Sequence, residues 1–384
     1  MICVYEDENR GNFYPLVDLR AVFELRFGCR TFIEKLRRRY PKELFNLWVR
    51  EEIAEVVQER YPDCSVNQPI EPPALFVSAS AVLYERVPVR GEEEMFFAGK
   101  RLIGFRLNKP RSWQPGFLGR LQLGMPERKV RARLYIYPWE LIAENTQELI
   151  REIMPQQRGK KGVVLKPKAV VHKGAFINTE NGPVLLEQRS EIRPLSFVAG
   201  PCYIGPGTII DGALVRPGCS FGPQCRIGGE VESCIFQGYA NKHHEGFLGH
   251  SFIGEWVNLG ALTTCSDLKN NYQPVKMRIG NREIETGLLK LGCFIGDHSK
   301  TAIGTLIPTG GVIGTFVNWF EPGLLPREVE PFAWGKNERW RETEVVEALR
   351  RVMARRKVAP SPAYEKLVLK VYHRTSRDEF FGRR

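Results

Sequence analysis

The densest run of chemically useful side chains is His243-His244-Glu245, followed by Gly246-Phe247-Leu248-Gly249 and a further histidine at His250. An imidazole, with an ordinary pKa of about 6.5, is the side chain suited to accept a proton at neutral pH. The run therefore offers a general base, with Glu245 as a carboxylate able to orient it. Successive residues of an extended segment point to opposite faces, so only one of His243 and His244 is expected to face a cleft. The plain alternative is that both are surface residues of a projecting loop. His244 and His250, six residues apart, could also occupy equivalent places one corner along a repeat and, with His243 and His298, supply nitrogen donors to zinc. None of these spacings matches a strong zinc motif.

Two other groups carry charge suited to phosphates. Arg10, Arg20 and Arg26 follow the first apolar strand and could hold a nucleotide, or could pair with Asp7, Asp18 and Glu24 instead. Lys269, Asn270, Asn271, Tyr272 and Lys276 lie in a polar stretch, CSDLKNNYQPVKMRIGNREIETGLLKL, from Cys265 to Leu291.

The element that positions the histidines is a repeat. Large apolar residues recur every six positions at Ile192, Val198, Ile204 and Ile210, resume after a one-residue slip at Val215, Phe221 and Ile227, and return at Ile253, Leu259, Ile295, Thr301, Ile307 and Ile313. A period of six fits neither an α-helix nor a half-buried strand, but it fits a chain that turns a corner every six residues. Three such sides make one triangular coil, and coils stack at about 4.8 Å. Residues 161–335 hold 26 of the 36 glycines, as the corners of such a solenoid demand. The expected fold for 161–335 is a left-handed parallel β-helix. Two interruptions, His243 to His250 and Cys265 to Leu291, should project from it, and loops on a rigid scaffold are where function tends to sit.

Residues 1–160 read as an α/β domain with a mainly parallel sheet: an apolar strand at Ile2 to Tyr5, a helix over Arg30 to Arg39, and apolar segments at Leu44–Val49, Ala74–Ser78, Met95–Ala98 and Leu134–Tyr137. QQRGKKG, Gln156 to Gly162, is the natural linker. Residues 336–384 form a basic helical tail. Its first helix carries the stripe Val345, Val346, Leu349, Val352, Met353, and its second begins at Ser361-Pro362 with Tyr364, Leu367, Val368 and Val371 inward.

Composition bounds the function. With 43% hydrophobic and 26% charged residues the chain is globular, and no apolar run approaches a membrane span. MICVYEDENR has no basic region before its apolar stretch, which points to the cytoplasm. Nine cysteines without a C-x-x-C pair read as reduced, buried thiols. Of the net charge of +12, more than half sits in the tail, where 14 basic residues are interleaved with 7 acidic ones. That pattern is a solvated helical face, and no nucleic-acid binding is expected.

YPLVDLRAVFELRFG (Tyr14 to Gly28), YPWELIAEN (Tyr137 to Asn145), LVRPG (Leu214 to Gly218) and NKHHEGFLGHSFIGEWVNLGA (Asn241 to Ala261) resemble the family of sugar nucleotidyltransferases related to the bifunctional UDP-N-acetylglucosamine pyrophosphorylase/glucosamine-1-phosphate acetyltransferase. The resemblance implies a transferase, with a nucleotidyltransferase-like first domain and an acetyl-CoA-dependent acyltransferase second domain acting on a sugar phosphate or nucleotide sugar. It implies that His244, five residues before Gly249, is the catalytic histidine, that Arg216 binds the sugar phosphate and that Asn258 lies near the acetyl-accepting end. Lys269, Asn271 and Tyr272 would assist in binding substrate. It implies a homotrimer with the acyl-CoA site between neighbouring prisms. Working pyrophosphorylases follow their first strand with a Gly-rich loop ending in Thr-Arg, whereas this chain has EDENRGNFYPL. Weak or absent nucleotidyl transfer is expected, and Mg would be needed only if that domain is active. Phe247 stands where the bifunctional enzymes have tyrosine, and no lysine lies between Arg226 and Lys242. The alternatives are an active sugar-1-phosphate nucleotidyltransferase, a non-catalytic sugar-nucleotide-binding scaffold, and a β-helix zinc enzyme of carbonic anhydrase type.

Overall fold

The computed structural model describes residues 1–109, 124–157, 162–280 and 282–376. They form two compact units: Met1–Phe13 with Leu19–Leu25 and Arg30–Tyr137, and Tyr14–Asp18 with Arg26–Cys29 and Pro138 onward. The boundary expected at 160/161 falls within residues 158–161, which with part of the linker and the last eight residues of the tail lie outside the described residues.

In the first unit, strand Ile2–Tyr5 is flanked in parallel by Phe45–Trp48 and Ala74–Ser78. Ser65–Val66 extends the sheet in parallel beyond Phe45–Trp48. On the other side Arg101–Leu107 runs antiparallel to both Ala74–Ser78 and Glu94–Ala98, and Glu127–Lys129 pairs in parallel with Glu94–Ala98. Cys3, Tyr5, Phe76 and Phe105 form the core of one face, with the rings of Phe76 and Phe105 stacked at 4.5 Å. Helix α1, Phe32–Arg39, starts two residues later than the sequence suggested because Thr31 is its cap: the Glu34 amide donates to Thr31 Oγ1 at 3.3 Å, and the Thr31 amide to Glu34 Oε2 at 2.7 Å. Helix α2 spans Glu51–Arg60.

The second unit is built on a three-sided parallel β-helix. One side is a nine-stranded parallel sheet running from Val163–Leu165 through Val184–Leu186, Cys202–Ile204, Cys219–Phe221, Ile235–Phe236, Phe252–Ile253, Phe294–Ile295 and Val312–Ile313 to Glu328–Val329. The other two sides share a second sheet. Ile192, Val198, Ile204, Ile210, Val215, Phe221, Ile227, Ile253 and Ile295 are all 0% exposed in one continuous core, so the six-residue period is the inward register of the prism. Burying each such side chain contributes roughly 1.5–3 kcal/mol. The column Gln224, Tyr239, Trp256, His298, Phe316 and Phe332 marks one corner, each residue with φ between 54° and 62°. Its rings stack, Tyr239 on Trp256 at 4.3 Å and His298 on Phe316 at 4.8 Å.

Phe252 pairs with Phe294 as though the residues between them were one coil, so the surplus leaves the prism as an insert. Within it Lys276–Ile279 and Arg282–Glu285 form an antiparallel hairpin. The interruption at His243 to His250 is different from expectation. It does not project as a loop: Asn241–Lys242 and Phe247–Gly249 both pair with the coil before, and only the turn between them stands out.

Helix α3, Pro138–Ile153, belongs to this unit. Its buried Asn145 donates to the Gly218 carbonyl at 2.8 Å and accepts from the Gly28 amide at 2.8 Å. Helices α4, Glu342–Ala354, and α5, Pro362–Ser376, bury Val345, Leu349 and Met353, and Tyr364, Leu367, Val368 and Val371. Tyr364 reaches His298 Nε2 at 2.9 Å, and Arg374 reaches Asp18 at 3.0 Å. All nine cysteines are free and buried, and among the described residues no helix is long and apolar enough to cross a membrane.

Candidate active site

The histidine turn stands out because corners differ in length. Ile227 pairs with Lys242, and Glu230 with Phe247, so three steps in one coil oppose five in the next. The coil before is also short, with Ile210 and Leu214 opposite Ile227 and Glu230. The chain in the later coil therefore bulges outward over two shortened corners. His244 and Glu245 are exposed there, and His243 is half-buried. The rings of His243 and His244 meet edge-on at 5.1 Å, and no hydrogen bond joins Glu245 to His244 among the described residues.

The two histidines do diverge. His243 Nε2 lies 3.8 Å from Asp211 Oδ2, which also accepts from Arg193 at 2.9 Å. Burial lowers the His243 pKa, opposed by the Asp211 carboxylate, and its Nδ1 has no hydrogen-bond partner among the described residues. Beneath the turn sits Lys242, 1% exposed, which donates to the carbonyl oxygens of Gly228, at 3.2 Å, and His244.

Arg216 follows the strand that pairs with Arg226–Glu232, and its Nε donates to Glu230 Oε1 at 2.5 Å, which raises its pKa. Asn258 lies on another side of the prism, where it accepts from Asn241 at 3.0 Å, and Asn241 accepts from Arg356 at 2.7 Å. The structure thus places Arg216 off the side that carries Asn258, and His244 at the corner where that side ends.

Lys269 and Asn271 line an open cleft of about 580 Å³, together with Ser266, Asn270, Thr309 and Arg327. Tyr272 is 71% exposed and does not line it. Arg327 was missed by the sequence reading because it comes from a coil beyond the insert. Asp267, between two lining residues, is paired with His250, whose Nδ1 is 2.7 Å from its Oδ2. That pair too was missed, since its members are separated by a full coil. Of the four histidines considered as metal donors, His250 is committed to Asp267 and His298 to Tyr364.

In the first unit, Arg10 is exposed and Arg20 is buried. Arg26 belongs to the second unit, where it donates to the Cys29 carbonyl at 2.7 Å and its amide donates to Gln237 at 2.9 Å. After the first strand the Asn9 amide donates to Asp7 Oδ1 at 2.9 Å, and the amides of Ala21, Val22 and Arg50 are served by acids too. Glu6, 3% exposed, accepts from the Val22 amide at 3.1 Å, the Arg50 amide at 3.3 Å and the Arg50 guanidinium at 2.9 Å. Glu24 accepts from the Ala21 amide at 2.7 Å and from Arg60 at 3.0 Å.

Residues 2–161 match the family described as Sugar nucleotidyl transferase. A bifunctional sugar-1-phosphate nucleotidylyltransferase/acetyltransferase of Sulfurisphaera tokodaii is 31% identical over 201 residues, 50% of this chain and 45% of that protein. The bifunctional protein GlmU of Methanococcus aeolicus is 29% identical over 207 residues, 52% of this chain and 46% of that protein. The chain spans about half the length of the curated relatives it matches. Among solved structures, the acetyltransferase domain of PglB from Neisseria gonorrhoeae, in complex with acetyl coenzyme A, is 11% identical, covering 62% of this chain and 82% of that one, with a TM-score of 0.18. A score that low carries no argument, and the β-helix rests on the strand pairing above.

Proposed function

We propose, for a chain whose residues 2–161 belong to the sugar nucleotidyl transferase family, that the β-helix transfers an acetyl group from acetyl-CoA to an amine on a sugar phosphate or nucleotide sugar. The observation that carries this reading is the corner of unequal length, which presents the His244 imidazole at the surface of a rigid core. In the reaction His244 takes the proton from the attacking amine, the amine nitrogen bonds to the thioester carbonyl carbon, and CoA leaves as its thiol on receiving that proton. Arg216 supplies charge for the sugar phosphate, Asn258 lies near the acceptor, and the cleft at Lys269, Asn271 and Arg327 binds anionic substrate.

Arg216 and Asn258 occupy different sides of one prism, and a site between neighbouring copies could take one from each. This supports a homotrimer with three equivalent inter-prism sites. The name of the Sulfurisphaera tokodaii relative, a sugar-1-phosphate nucleotidylyltransferase/acetyltransferase, supports a sugar-phosphate substrate. The experiment is thiol release from acetyl-CoA in the presence of amino-sugar phosphates.

For residues 2–161 the same reading gives weak nucleotidyl transfer. Glu6 and Glu24 already occupy backbone amides and arginines that would otherwise be free to hold phosphates. An active domain would use Mg, and Arg10 and Arg20 are the arginines to test.

A further inference from the structure

Lys242 stands in a place where its neighbours are apolar. Parallel pairing stacks Ile192, Ile210, Ile227 and Lys242 in one inward column of the prism. Its side chain is 1% exposed, and no carboxylate lies within ion-pair distance of it among the described residues. An unpaired ammonium inside a hydrophobic core is costly, so its hydrogen bonds must repay it. Both go to the corner: one to the carbonyl of Gly228, where the earlier coil turns early, and one to the carbonyl of His244, where the later coil swings out. The space is made by glycine. A Cβ on Gly229, which has φ +65°, would come within 2.8 Å of Lys242 Nζ and of the His244 carbonyl.

We propose that Lys242 is a positioning residue for the acetyl transfer, clamping the His243–Gly246 turn from inside the prism and so fixing the direction in which the His244 imidazole leaves the corner. The inference rests on the reading of His244 as the base. The carbonyl that Lys242 holds is the base's own, so loosening it moves the imidazole by changing its backbone. Among the described residues no other donor reaches that carbonyl. Burial, opposed by the charge of Glu245 in the turn and by the Cys234 thiol, lowers the pKa of Lys242 to about 8, so the clamp weakens as it loses its proton within the range of an ordinary pH profile.

The test is Lys242→Met in the full chain, which fills the column without a donor. Turnover should fall about 10-fold or more, since small displacements of a catalytic group are expensive. KM for acetyl-CoA should stay within about 2-fold, and the alkaline limb of the wild-type profile near pH 8 should vanish. Amide exchange over His243–Gly246 should quicken about 10-fold while the core of the prism stays protected. In a His244→Ala background the second substitution should remove no further activity. Unchanged turnover and unchanged exchange in Lys242→Met, or losses that multiply in the double variant, would overturn the clamp. If His244→Ala alone keeps full activity, the base assignment fails separately. Exchange at the turn then decides whether Lys242 holds it: faster exchange sustains the clamp and unchanged exchange overturns it.

Discussion

His250 Nδ1 and Asp267 Oδ2, 2.7 Å apart, tie the corner of one coil to the first residues of the insert. The Leu291 amide donates to the Asp267 carbonyl at 2.7 Å and the Gly292 amide to the His250 carbonyl at 3.0 Å, so both ends of the insert are fastened at this pair. His250 accepts a left-handed backbone, φ 47°, to make it. Asp267→Ala should therefore cost about 1–3 kcal/mol, the usual loss when a buried polar group loses a partner. It should also expose Leu268 to Lys290 to limited proteolysis, while the prism stays resistant. An unchanged melting temperature and an intact insert would show that the pair fastens nothing.

Two lysines, Lys242 buried and Lys300 half-buried, set a pH dependence whose sign is fixed. Burial lowers the pKa of Lys242 and of Lys300 from 10.5 to about 8 in each case. Between those values the unfolded chain keeps protons that the native protein has released, so these groups make stability rise with pH from about 8 to about 10.5. Below about 8 both states are protonated and the native protein carries the full penalty of burial. The stability difference between wild type and Lys242→Met, followed by denaturant unfolding, should shift in favour of wild type over that window. A difference that stays flat would mean that Lys242 titrates normally.

Glu6 and Arg50, joined at 2.9 Å with side-chain exposures of 1% and 10%, brace the end of the first strand. Glu6→Ala takes away the nearest carboxylate of Arg50, which keeps Glu52 at 3.7 Å and the Arg20 carbonyl at 3.2 Å, and removes the acceptor of the Val22 and Arg50 amides, so it should cost about 1–3 kcal/mol. The wild-type protein should release little or no pyrophosphate from UTP or dTTP with a sugar 1-phosphate. Robust release, lost on Arg20→Ala, would restore the active nucleotidyltransferase reading.

What could be read from the sequence, and what could not, divides along the range of the interactions. The inward positions from Ile192 to Ile313 follow from spacing because each coil repeats the same local geometry, and the Ser361 cap of α5, with the Tyr364 amide donating to Ser361 Oγ at 3.1 Å, is equally local. The stretch from His243 to His250 reads as a projecting loop because a change in corner length looks, in one dimension, like a broken repeat. Lys242 was passed over for a related reason: a lysine beside two histidines reads as surface, and only the pairing with Ile227 turns it inward. The pair of His250 and Asp267, and Arg327 in the cleft, depend on neighbouring coils across the insert, which no local pattern announces.

The base assignment is tested most directly by measuring thiol release from acetyl-CoA with amino-sugar phosphates for wild type, His244→Ala and His243→Ala. A substrate amine arrives mostly protonated, so losing the base should lower turnover by about 10²–10⁴-fold, the usual worth of general base catalysis. Light scattering should show the same oligomer for all three proteins, and acetyl-CoA binding should be retained. His243→Ala should do much less, because His243 is turned toward Asp211. Full activity in His244→Ala, or a loss in His243→Ala as large as in His244→Ala, would contradict the account.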